Sequence, residues 1–272
     1  MRLRAASAWG AAQLFASALL GLFLLLPVVA LFAGSSWDDF SSGLRNPLLL
    51  PALRLSLLTT GSSLALVVGL GSLVAWRVAR NPGRASRWME AITQLPAVIP
   101  PAVAGVGLLL AFGRRGLFGG WLDRHGIALA FTTPAVILAE AFVSAPFFVQ
   151  AAIAAFRRLD ENLLVVARTL GASPFRTFAR VGLPLAAPGL AAGAAMSWAR
   201  AVGEFGATLF FAGNMTGRTQ TMPLAIYTAM ESDLHAAQAL SLVMVLLAFA
   251  LLFILRRLAP GGALPGTELP GA

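Results

Sequence analysis

The sequence predicts an all-α polytopic membrane protein with six transmembrane helices. Three observations carry that expectation. Only 11% of the 272 residues are charged and mean hydropathy is +0.81, against about 25% charged residues in a soluble domain. Uncharged apolar runs recur at the length of about 20 residues that a helix needs to cross a bilayer. All 20 basic residues are arginine, and they gather in alternate connecting segments, as expected where those segments face the cytoplasm.

The spans follow in order. Residues 5–37 carry no charge and are preceded by Arg2 and Arg4. A secretion signal has that polarity but an apolar core of only about 7–15 residues, so a first helix is expected at 12–32, in an N-terminal unit 1–33. Trp37, Asp38, Asp39 and Phe40 then form an external loop. A core of five further spans is expected over 53–258. The second span, 55–76, ends at Arg77, Arg80, Arg84 and Arg87 around the turn Asn81-Pro82-Gly83. The third, 91–113, contains Leu95-Pro96 and Pro100-Pro101 and cannot be a straight helix. Backbone groups freed there must be met by protein or cavity water, so this is either a pore-lining segment or a kinked packing helix. Residues 113–133 are external. The fourth span, 134–156, holds Glu140 near its outer end and closes on Arg157 and Arg158. The fifth, 185–202, runs on into GEFGATLFFAGN. Residues 214–233 are external, and the sixth span, 234–255, ends at Arg256 and Arg257. The Gly- and Pro-rich tail 259–272 is expected to be flexible. With both termini inside, and with Arg168, Arg176 and Arg180 in the loop before the fifth span, 13 of the 20 arginines face the cytoplasm.

The net charge of +9 therefore reflects topology, not nucleic-acid binding. The absence of cysteine excludes disulfides, iron–sulfur clusters and thiol nucleophiles. His125 and His235 lie far apart without the spacing of a metal site. No GxxxxGK[ST] loop is present to cradle ATP phosphates, and no serine has a base placed for it. Neither a catalytic residue nor a cofactor is expected.

The longest polar insertion is VVARTLGASPFRTFARVGLP, residues 165–184. Gly171 can take the left-handed conformation that ends a helix. Ser173 followed by Pro174 reads as a hydroxyl N-cap and a first-turn proline. Phe175 and Phe178 fall on one side of the short helix, Arg176 and Arg180 on another. Pro184 and the residue before it, Leu183, read as a stop. Helix, tight turn, short helix, stop, on the arginine-rich side, describes a docking element for a cytoplasmic partner.

Elsewhere, Arg200 and Glu204 are four apart and can pair on one helix face, with Gly203 and Gly206 loosening that helix. Charges inside a membrane default to functional roles, so the pair is either a gate that re-pairs between states or, the reading favoured here, a structural ion pair. Arg114 and Arg115, in Gly113-Arg-Arg-Gly116 on the outside, either attract an oxyanion or an acidic partner surface or form a solvated turn.

The 165–184 insertion also resembles the signature loop of ABC-importer permeases: E-A-A, three residues, G, nine residues, I, one residue, L-P. Ala167, Gly171, Val181, Leu183 and Pro184 are in register, while Val165 and Val166 stand where the family has Glu and Ala. Glu161, one turn earlier, is the candidate for the missing carboxylate. LPAVIPPAVAGVGLLLAFGRRG and ARAVGEFGATLFFAGNMTGRTQTMPLAIYTAMES are similar to segments of molybdate, tungstate and sulfate permeases, with the GRRG turn tilting toward the first two. The resemblance implies the type I ABC-importer permease fold, with a coupling loop at 160–182 seated in a groove of a separate cytoplasmic ATPase. Glu161, Ala167, Arg168, Gly171, Ser173, Pro174, Phe175, Arg176, Leu183 and Pro184 are the coupling candidates. It implies a homodimer in the lipid bilayer, served by an extracytoplasmic oxyanion-binding protein. Pro100, Pro101, Arg200, Gly203, Glu204, Gly206 and Asn214 become pathway candidates, with Thr208 a further donor to a passing anion, and Arg114 and Arg115 become external docking candidates. The alternative, a secondary transporter coupled through protonation of Glu204 or Glu140, has no use for such a loop.

Overall fold

The computed structural model describes residues 2–258, and every regular element among them is helical. Helix α1 (Arg2–Ala33) is apolar around its circumference over Trp9–Ala33, so nothing confines that stretch to one face; it touches the last helix, and none of its apolar window is buried. Trp37 and Phe40, expected in an external loop, instead belong to helix α2 (Trp37–Leu44). The loop reading fails because α2 has a partner far along the chain. It crosses α13 (Leu234–Leu258) at Gly43, where a β-carbon would stand 2.1 Å from that of Ala239.

Helix α3 (Leu49–Arg80) is longer than the expected span at both ends. It packs on α7 (Thr133–Arg157), which in turn packs on α10 (Leu183–Val202). Small residues permit this closeness: β-carbons at Gly189 and Gly193 would stand 2.6 and 2.7 Å from those of Ala155 and Ala151. Residues four apart on each helix let two backbones approach, the usual contact in membranes. A core of Val67, Ala75, Phe148, Ile153 and Phe156 fills the α3–α7 contact.

The third span is two helices, α4 (Arg84–Val98) and α5 (Pro101–Phe112), bent by 114°. Pro96 is accommodated inside α4, and the break falls at Ile99 and Pro100, both extended. Two consecutive prolines remove two donors and force the preceding residue out of the helical region. The short α6 (Gly119–Arg124) follows. Beyond α10 come α11 (Gly206–Ala212), packed on α5 and α7, and α12 (Met222–Ser232), packed on α13.

Among the described residues, four helices are long and apolar enough to cross a membrane, five if the bent pair counts as one span, and α13 contributes a shorter apolar stretch, Leu234–Ala250. The tail 259–272 lies outside the described residues.

Candidate functional site

The arginine-rich loop folds from local signals. Asp160 caps α8 (Glu161–Thr169), its carboxylate accepting from the Asn162 N–H at 2.9 Å. Gly171, at φ +85°, ends the helix. Ala172 N–H donates to the Ala167 carbonyl and Gly171 N–H to that of Arg168, both at 3.0 Å, the paired bonds of a Schellman turn. Ser173 Oγ accepts from the Arg176 N–H at 3.3 Å and starts α9 (Pro174–Thr177), with Pro174 in its first turn.

Pro184 does not stop the chain. The backbone runs on through a π-helical turn, Phe178–Gly182, into α10. Leu183 N–H reaches back five residues to the Phe178 carbonyl. That wider turn shifts the hydrogen-bond register, so Pro184 falls in the first turn of a new α-segment, where no donor is needed.

The loop presents an apolar surface. Leu170 is 83% and Phe175 72% exposed, with Leu163, Val165 and Val166 exposed beside them. Arg168, Arg176 and Arg180 are also exposed. Five large apolar side chains left open on a charged loop need a partner. Phe178 turns inward against Trp76 and Phe156. Glu161 lies 4.0 Å from Arg80 at the end of α3, its side chain 89% exposed.

The second group of candidates converges where two broken spans meet. Gly203 ends α10, and Gly206 begins α11 against the start of α5; a β-carbon at Gly206 would stand 3.1 Å from Pro101 and Ala102. Gly105 approaches the Ala207 backbone more closely still, a β-carbon there standing 2.8 Å from the Ala207 carbonyl oxygen. Glu204, 1% exposed, fills the junction. One carboxylate oxygen accepts from the Ala207 N–H at 2.7 Å, holding the first turn of α11. The other lies 2.8 Å from Arg200 Nη2. The pair is thus tied into helix structure on both sides. Thr208 is fully buried and its hydroxyl has no hydrogen-bond partner. Asn214 is not brought to this junction: it sits beyond the far end of α11 and donates to Thr228 Oγ1 at 2.9 Å.

Arg114 and Arg115 are exposed after α5. Arg114 lines a cavity of about 410 Å³ with Asp123, Arg218, Leu109, Phe112 and Ile127. On α12, the Tyr227 ring meets Phe205 at a tilt, centroids 5.4 Å apart, and hydrogen bonding to Glu231 raises its phenol above the ordinary value.

Three features escaped the sequence reading. Arg80 of α3 reaches the end of α7. Glu90 of α4 pairs in bidentate fashion with Arg157, at 2.7 and 3.2 Å. A polar stripe on α3, Ser56, Thr59, Thr60 and Ser63, is buried, and Thr59 Oγ1 donates to the buried Glu140 at 2.8 Å. The three-to-four spacing of that stripe was visible in the sequence; its partner was not.

Residues 67–261 match the sequence model of the family described as "Binding-protein-dependent transport system inner membrane component". The chain is 44% identical over 227 residues to the molybdenum transport system permease protein ModB of Mycobacterium tuberculosis, covering 84% of this chain and 86% of that protein. It is 35% identical to the sulfate transport system permease protein CysT of Escherichia coli, covering 87% of each. The fold matches a chain from the crystal structure of a bacterial ABC transporter involved in the import of the acidic polysaccharide alginate, with TM-score 0.75, 18% identity, and coverage of 91% of this chain and 93% of that one.

Proposed function

The chain belongs to the family of binding-protein-dependent transport system inner membrane components, and from that premise we propose that it is the permease subunit of an ATP-driven importer of molybdate. It is a multi-pass inner-membrane protein whose helical fold is that of ABC-importer permeases. The observation that carries the proposal is the apolar surface of Leu170, Phe175, Val165 and Val166, exposed on the arginine-rich side. A separate ATPase docks there, and its ATP-driven closure moves the loop 160–182. Two copies of the chain alternate between outward and inward states, with both termini in the cytoplasm. An extracytoplasmic binding protein delivers the anion, contacting Arg114 and Arg115. The pathway runs past the junction of Pro100, Pro101, Gly203, Glu204 and Gly206. In this conformation Arg200 and Glu204 act as structure, which keeps a bare carboxylate from repelling the anion. The likeness to a sulfate permease makes sulfate or tungstate the second reading.

The test is reconstitution with the cognate ATPase and binding protein in proteoliposomes. Phe175→Asp and Leu170→Asp each abolish copurification of the ATPase and ATP-driven molybdate uptake, while the permease stays folded and inserted. Uptake that persists without ATP refutes the proposal. Competition by tungstate and sulfate decides among the anions.

A further inference from the structure

Both ends of the loop 160–182 rest on the last two turns of α3. At the loop's start, Arg80 Nη1 lies 4.0 Å from Glu161 Oε1. Arg80 Nη2 donates to the carbonyls of Phe156 and of Leu159, the latter at 3.4 Å. These carbonyls stand at and just past the end of α7, where intrahelical donors run out. At the loop's end, Trp76, one turn before Arg80, meets Phe156 edge-on at 5.2 Å and Phe178 at 5.4 Å. Gly182 lies directly under the indole, where a β-carbon would stand 2.6 Å from the ring. The Arg80 guanidinium closes the cluster, 5.4 Å from the Trp76 ring centroid. An arginine at a helix end ordinarily extends toward water; this one is only 11% exposed.

The other end of α3 is also anchored. Ser56 Oγ accepts from the N–H of Met222, the first residue of α12, at 2.8 Å. Ser56 and Trp76 lie on one uninterrupted helix, about 30 Å apart.

We propose that Arg80 and Trp76 are positioning residues that lock the coupling loop to α3, so that loop and helix move as one body and α3 carries the motion to α12. The inference rests on the permease reading. A guanidinium is the right group for such a lock, because one planar fork reaches two carbonyls, the indole face and Glu161 together, whereas an ammonium acts at a single point. The indole supplies the second clamp by packing, independent of charge.

The absence of cysteine allows a direct test. Cysteines replace the exposed Arg77 on α3 and Asn162 on α8, carry spin labels, and are measured by pulsed dipolar spectroscopy in the complex with the ATPase. The complex is examined nucleotide-free and ATP-trapped. The parent gives one narrow distance, the same in both states. Arg80→Gln and Trp76→Leu broaden it, and anion taken up per ATP falls about tenfold, the weight of one charge-assisted hydrogen bond. ATP hydrolysis and copurification persist, which a merely misfolded permease would not show. Arg80→Lys restores uptake per ATP only in part. A parent distance that shifts with nucleotide means that the loop slides on α3 and overturns the proposal, whatever the variants do. Unchanged uptake per ATP in Arg80→Gln overturns it too. A parent complex without ATP-driven uptake instead sinks the permease reading, and this inference with it.

Discussion

Gly171 offers the sharpest test of the coupling loop, because its role separates into backbone and steric parts. Its φ is +85°, and a β-carbon built there meets nothing within 4 Å. Substitution therefore acts through backbone conformation alone. An ordinary L-residue held in the left-handed region costs about 1–2 kcal/mol, and a β-branched one is a genuine outlier there. At 1.4 kcal/mol per tenfold, the docking-competent turn becomes about 5–30-fold less populated relative to alternatives in which the Ala172 and Gly171 N–H bonds are broken. Asparagine tolerates this conformation best after glycine. The expected order of ATPase affinity is Gly, then Asn, then Ala, with Val weakest. Binding of the purified ATPase to detergent-solubilised permease, with thermal stability followed in parallel, measures it. The main helix contacts lie elsewhere, so stability of the membrane body stays near that of the parent. Equal affinity for Gly171→Asn and Gly171→Val would refute the reasoning, because a difference in φ preference would then carry no weight in docking.

Two further outcomes follow from the buried geometry. Glu204→Ala removes both the acceptor for the Ala207 N–H and the Arg200 ion pair, whereas Glu204→Gln keeps an acceptor oxygen. Loss of a buried charge partner costs up to about 3–5 kcal/mol, so thermal unfolding in detergent should fall for both, further for Ala; a parent-like Glu204→Ala contradicts the structural role. Gly193→Val forces a β-carbon to within 2.7 Å of Ala151 and should destabilise by about 1–3 kcal/mol, while Gly107→Val, with open space around it, should leave the unfolding temperature within error of the parent; equal shifts at the two sites would count against the α7–α10 contact.

The sequence by itself determined what depends on near neighbours and on solvent. Hydropathy placed the apolar helices because a bilayer demands about 20 uncharged residues whatever their packing. The turn at Gly171 and the restart at Ser173-Pro174 were legible because their hydrogen bonds span five residues or fewer. The tandem Pro100-Pro101 announced a break for the same reason, though not its angle of 114°. Pro184 misled because proline's usual effect presumes α-register, and a π turn two residues earlier had already changed it. The rest was decided by tertiary structure. Helix α2 exists because Gly43 lets it lie on α13. Arg80 gains its partners from carbonyls 76 and 79 residues away, and Thr59 meets Glu140 across 81 residues. Which face of one helix turns toward another is set by the packing of whole surfaces, in which small residues choose the closest approach. No local pattern encodes that rotation, so the loop and the helices could be read from their letters while the contact by which α3 holds the loop could not.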